Sequence, residues 1–234
     1  MLFRANHIKE HTIQAEDREV GRISDLCFDS RSWTIRYVLV ESGERLSGRT
    51  VFLSPVALGQ PQAEGAVIPA SVSRAEIDRG PEIEQGVGLS RGDELKLVAH
   101  FGWPAYWADA PGLSGIPPAQ QPAPVGNGQE SAEDIAVACC LSDLADMRAR
   151  ARDAEVGSVV DGILSTEDWV IRHLILQLPD ADTGVVVPPD WVAETDWERG
   201  ELTFGLNASS IKASPAPTST AAASRSGRAA FRGP

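Results

Sequence analysis

Cysteine is scarce. Three in 234 residues do not make a stapled secreted framework. Cys139 and Cys140 are adjacent, too close for an ordinary disulfide without strain in the intervening peptide. Cys27 lies in an apolar, strand-like run and reads as a small buried hydrophobe. Long apolar runs are also lacking: none approaches the roughly 18 residues needed to cross a bilayer as a helix. No charged-then-apolar leader opens the sequence, so the expected location is cytoplasmic. Basic charge is in short supply, with 21 Lys and Arg against 33 Asp and Glu and a net charge of −12. A surface for nucleic acid needs a basic patch that displaces counterions, so direct nucleic-acid contact is not expected. The imbalance is uneven. Arg225, Arg228 and Arg232 are the only charges in the last nineteen residues, a Pro/Ser/Thr/Ala stretch whose composition predicts a disordered basic tail.

Catalytic patterns are missing as well. The four histidines, His7, His11, His100 and His173, fall in separate elements. His7 and His11 stand four apart, but "NHIKEHTI" reads as the lead-in to a strand rather than a helix, so zinc is not expected. There is no G-x-S-x-G elbow and no P-loop, and "GVGLSRG" at residues 86–92 lacks the spacing of a dinucleotide loop. No catalytic, cofactor or metal site is expected, and the chain does not read as an enzyme.

What the sequence does contain is a repeat. Residues 8–39 align without gaps on residues 144–175 at an offset of 136. The identities are Ala15/Ala151, Asp17/Asp153, Glu19/Glu155, Val20/Val156, Gly21/Gly157, Asp25/Asp161, Trp33/Trp169, Ile35/Ile171 and Arg36/Arg172. Past the next turn the offset becomes 134, so "VFLSP" at 51–55 meets "VVVPP" at 185–189. A length change confined to a loop is what related folds tolerate, and internal duplication explains the match.

Each copy reads as β-structure. In "SWTIRYVLV" the residues Trp33, Ile35, Tyr37 and Leu39 alternate with Thr34, Arg36, Val38 and Val40; Trp169, Ile171, His173 and Ile175 repeat the pattern. Gly21 and Gly157 suit a bulge or sharp bend, "FDSRSW" and "LSTEDW" supply hairpin turns, and Pro55 and Pro188 end strands. The acids Asp17, Glu19, Asp25, Asp153, Glu155 and Asp161 recur beside the same Gly and apolar residues, which marks them as architecture rather than as acid/base pairs or metal ligands. Helices are few and short. Ser73 with Glu76 forms a capping box, and Ser90 opens a second helix that Gly102 and Pro104 close.

This Asp-x-Glu-Val-Gly run, followed by a hairpin, a Trp-x-Ile-Arg strand and an apolar run to Pro, resembles the PRC-barrel family, named for the cytoplasmic domain of the photosynthetic reaction centre H subunit. The similarity covers residues 2–107 and 140–215. It implies an all-β fold with minor α: two small β-barrels in tandem with short helices at their ends. The expected division is a first barrel with a helical and aromatic extension at 1–107, a Pro/Gly-rich linker at 108–135, a second barrel at 136–215 and the tail at 216–234. By function the resemblance implies a protein-binding or assembly module, associated peripherally with the reaction centre or another membrane electron-transport complex. A ribosome-associated or stress-related adaptor is the alternative it leaves open. The two copies are expected to pair with each other within one chain or between two chains of a homodimer.

One feature lies outside the repeat. "HFGWPAYW" places Phe101, Trp103, Tyr106 and Trp107, four of the chain's fourteen aromatics, within seven residues. They are candidates for a protein-docking patch, since Trp and Tyr anchor interfaces; equally, they can pack over a seam and close the first barrel. "WVAETDW" at 191–197 poses the same choice, with alternation favouring core on one side.

Overall fold

The chain is described by a computed structural model that covers residues 1–42, 49–62, 66–83, 89–107, 139–179, 181 and 183–217. The predicted linker and all of the predicted tail beyond residue 217 lie outside the described residues. The protein is mostly β. Among the described residues thirteen strands belong to one mixed sheet, with five short α-helices around it.

The duplication organises the sheet. In the first copy, β2 (Thr12–Gln14), β3 (Glu19–Asp29), β4 (Thr34–Ser42), β5 (Thr50–Leu53) and β6 (Val67–Pro69) follow one another. The second copy answers with β8 (Arg148–Arg150), β9 (Glu155–Ser165), β10 (Val170–Gln177), β11 (Val185–Val187), β12 (Val192–Asp196) and β13 (Glu201–Phe204). The order β12-β13-β8-β9-β10-β4-β3-β2-β6 is a palindrome about the β10–β4 junction once β12 is set aside. At that junction Thr34 pairs with Val170, its own repeat equivalent.

The two remaining strands are exchanged. β1 (Leu2–Arg4) leaves the first copy to pair with β9 of the second, setting Phe3 opposite Leu164. β7 (Cys139–Cys140) makes the reciprocal move onto β3, setting Cys139 opposite Phe28. Helices α1 (Ala5–Ile8) and α4 (Leu141–Leu144) follow these strands at equivalent positions. The copies therefore share one apolar core, in which Ile8, Ile23, Leu26 and Phe28 join Leu144, Val159, Leu164 and Leu174. Among the described residues no pairing closes either copy into a barrel on its own.

Local chemistry explains the matched shapes. A Cβ on Gly21 would lie 2.0 Å from the carbonyl oxygen of Glu41, and one on Gly157 would lie 1.9 Å from that of Gln177. The adjoining strand crosses directly over each glycine, and the register of both copies shifts at that point. Asp17 accepts the amide of Arg74 (3.0 Å) and so caps α2 (Arg74–Asp78); Asp153 accepts that of Ala208 (2.7 Å) and caps α5 (Ala208–Lys212). Ser73 and Glu76 complete the expected capping box on α2.

Three expectations need correction. The face of β4 is not strictly period two. A bulge between Ile35 and Tyr37 sends Ile35, Val38 and Val40 into the shared core and turns Tyr37 and Leu39 into a second, smaller cluster. The run around His7 is helical, since α1 ends at Ile8 before the strand begins. Cys27 is buried but is not a free hydrophobe: it forms a disulfide with Cys140, 113 residues away. Strand exchange sets the two cysteines opposite each other on β3 and β7, a relationship invisible to sequence spacing. Cys139 stays free and buried, its thiol pushed up to about 11 by burial and by the nearby Asp143 and Asp29.

Candidate docking groove

The recurrent acids hold the structure together. Asp25 accepts the amide of Leu26 (2.9 Å) and both the amide (3.3 Å) and hydroxyl of Ser142, and pairs with Lys9 at 2.7 Å. Its equivalent Asp161 accepts the amides of Gly162 (2.8 Å) and Asn6 (3.2 Å). Each aspartate thus fastens the first helix of the other copy. Burial pushes the Asp161 carboxyl upward against those two amides. Glu19 and Glu155 are exposed at the starts of their strands. The histidines do not converge into a metal site: His7 and His11 rings meet edge to face at 5.5 Å, His100 bonds the Glu76 carbonyl at 2.8 Å, and His173 is half-buried in β10. No group of three or more potential ligands is found among the described residues.

The aromatic segment is positioned by α3 (Arg91–Phe101). Ser90 caps this helix by accepting the amide of Asp93, and Gly102 ends it in the left-handed conformation, φ +69°. The chain then doubles back along the helix. Trp103 stacks on Phe101 with centroids 4.2 Å apart and planes 8° from parallel, and both pack on the smaller cluster of Cys27, Tyr37, Leu39, Phe52, Leu89 and Leu97. These two rings therefore cover the outer face of the first copy.

Tyr106 and Trp107 are fixed by a charge network. Glu94 on α3 has no exposed surface. It accepts the Tyr106 hydroxyl at 2.8 Å and pairs with Arg91 at 2.6 Å. Burial raises its carboxyl pKa, opposed by Tyr106, Arg91 and Tyr37. Both tyrosines are pushed upward, by burial first and by the Glu94 charge second. Arg36 lies 3.8 Å over the Tyr106 ring, and Arg91 lies 4.1 Å over Trp107. Arg36 also pairs with Asp29 at 3.1 Å, while its Nε is buried without a hydrogen-bond partner.

Between this segment and the second copy runs an open groove of about 450 Å³. It is lined by Val98 and residues 103–106 of the aromatic segment, by residues 34–37 and 54–56 of the first copy, and by Glu167, Asp168 and Trp169 of the second. Val56 is 61% exposed. Of the four candidate aromatics, Trp103 and Tyr106 line the groove. Phe101 and Trp107 stand behind them. Sequence reasoning missed Glu94 as the buried anchor, and it missed the contribution of Val56 and the second copy's turn. The contrast between Val56 and its repeat equivalent Asp190, each directly after a proline, was the available clue.

A related groove of about 380 Å³ lies at the repeat-equivalent place, between Ser30, Arg31 and Trp33 of the first copy and Pro189, Asp190 and Trp197 of the second. Its Trp197 packs against the shared core, with its ring 6.4 Å from that of Phe28. Here Asp190 takes the position of Val56 and Trp197 lines the groove in place of Trp103 and Tyr106, so the pair of grooves is alike in origin and unlike in chemistry. No protein-family model matches the chain, and no curated protein sequence does either.

Proposed function

We propose that the chain is a non-enzymatic protein-docking or assembly module of the PRC-barrel type. The observation that carries this reading is the groove between the aromatic segment and the second copy. Val98 and residues 103–106 of its lining come from the part of the sequence that duplication does not explain, and Val56 faces solvent among Trp103, Tyr106 and Pro55. Rigid aromatic rings beside proline and an exposed aliphatic group form a surface that accepts an extended peptide segment. The charge of the chain selects the partner's sign. With a net charge of −12 for the chain, the favoured occupant carries an apolar anchor and flanking basic residues. The family resemblance suggests where such a partner belongs, in the peripheral part of a photosynthetic or other membrane electron-transport assembly. No helix among the described residues is long and apolar enough to cross a membrane, so this attachment rests on protein contacts in the proposal.

The test is a photo-crosslinking residue placed at Val56 and, as a control, at Val160, another exposed valine outside this groove. In the native host, a discrete adduct at position 56 with none at 160 is expected. Val56→Asp should abolish the interaction without lowering the melting temperature. A position-56 probe that yields no distinct adduct, or the same adducts as position 160, counts against docking at this groove.

A further inference from the structure

The copies are held by a bond whose state depends on redox poise. β7 has only two residues, and its register on β3 is Cys139 opposite Phe28 and Cys140 opposite Cys27. The second of these positions carries the disulfide. So short a strand offers few ladder bonds, and the covalent link supplies much of its hold. The chain then enters α4, whose Ser142 bonds Asp25 of the first copy. Cys27 and Cys140 also belong to the smaller apolar cluster that carries Phe101 and Trp103, and Trp103 lines the groove. The disulfide therefore joins the two copies within the same apolar cluster on which the aromatic segment packs.

We infer that Cys27–Cys140 is a reversible redox latch that fastens the second copy to the first and, through the Phe101–Trp103 stack, sets the order of the docking groove. The second half of this inference rests on the docking reading above. Cys27 is 1% exposed, whereas Cys140 is half-buried, which makes Cys140 the more accessible end of the bond. A dithiol donates two electrons. Its thiolate attacks Cys140, the Cys27 sulfur leaves as thiolate and takes a proton, and the reductant's second thiol closes its own disulfide to release the Cys140 thiol. Glutathione disulfide reverses the change, forming the Cys27–Cys140 bond again and leaving two molecules of reduced glutathione. Cys139 is buried with a raised pKa and takes no part.

The experiment uses the intact chain, equilibrated with glutathione disulfide or with dithiothreitol. The oxidised sample should show one free thiol and a Cys27–Cys140 peptide pair by mass spectrometry, and the reduced sample three free thiols. Reduction should lower the melting temperature reversibly by roughly 5–15 °C and should speed amide exchange over residues 101–107. Cys139→Ser should keep the whole response. The Cys27→Ser/Cys140→Ser double variant should resemble reduced protein in both buffers. Three free thiols after oxidation, or a bridge formed by Cys139, overturns the latch. A lower melting temperature with unchanged exchange over 101–107 overturns its control of the groove and leaves a structural staple. None of these readouts needs a partner, so their failure is separate from a failure of crosslinking at Val56.

Discussion

Trp33 and Trp169 are mirrored across the junction of the two copies. Each ends its turn in the left-handed region, at φ 55° and 54°. Each gives its carbonyl to the other copy: Ile171 donates to Trp33 at 2.8 Å, and Ile35 donates to Trp169 at 2.7 Å. The side chains are 9% and 6% exposed within one core, with Trp33 stacked on Phe28 at 5.3 Å. Trp33→Ala and Trp169→Ala should each cost about 3–5 kcal/mol. Because the core is shared, both variants should unfold in one cooperative transition by urea titration with fluorescence and circular dichroism. Two separated transitions, each moved by only one substitution, would reveal independent copies.

The two crossing glycines provide a sharper local test. Gly21→Ala and Gly157→Ala place a methyl against a backbone carbonyl that cannot rotate away, and each should destabilise by about 2–4 kcal/mol. Gly102 is the contrast. Its φ is positive, as at Gly157 and unlike Gly21, but no atom lies within 4 Å of an added Cβ, so Gly102→Ala should cost only about 1–2 kcal/mol, the left-handed penalty alone. Chemical denaturation of the three variants ranks them. Equal losses at all three positions would mean that close approach adds nothing to the cost at Gly21 and Gly157.

Glu94 gives a pH dependence whose sign is fixed. Its folded pKa is raised, chiefly by burial, above that of the unfolded chain. The folded state therefore holds the proton more tightly, a contribution that is fully present below the unfolded pKa. It is lost as pH rises through the folded value. Glu94→Gln keeps the shape and an acceptor for the Tyr106 hydroxyl while removing the titration. The stability of the variant relative to the parent should thus increase as pH rises from about 4 towards neutrality. Melting curves across that interval check it, and a constant or shrinking difference would contradict the buried-carboxylate account.

Most of the repeat was legible because its physics is local. The glycines, the hairpin turns, the strand-stopping prolines and the Ser73–Glu76 box each declare themselves within a few residues, and they fall where the strands and α2 begin or end. The aspartates could be read as architectural from their recurrence alone, and Asp17 and Asp153 do cap helices. Exchange of β1 and β7 was not legible, because nothing in "LFR" or "CC" names the partner strand. The disulfide was hidden for the same reason. The bulge that divides Ile35 from Tyr37 escaped a strict two-residue period, and Glu94 gave no signal because its burial comes from Tyr37 and from a segment that folds back over it.

The exchange leads to a final prediction about the seam. A protease site inserted within residues 108–135 would separate the chain into two pieces. If the copies were self-sufficient barrels, each piece would keep its sheet intact and drift from the other after cleavage. The observed pairing argues otherwise. Without the second copy, β3 loses β7 and Asp25 loses Ser142; without the first, β9 loses β1 and Asp161 loses Asn6. Both pieces would also expose the apolar surface that they now share, including Phe28 and Leu164. The cleaved fragments should therefore stay together through gel filtration under non-reducing and reducing conditions alike, with reduction lowering the melting temperature of the pair. Tryptophan fluorescence should match that of the uncut chain in the oxidised state. Two separate, folded species eluting at fragment size after complete cleavage would mean that the exchanged strands contribute little, and that the two halves of this molecule stand alone.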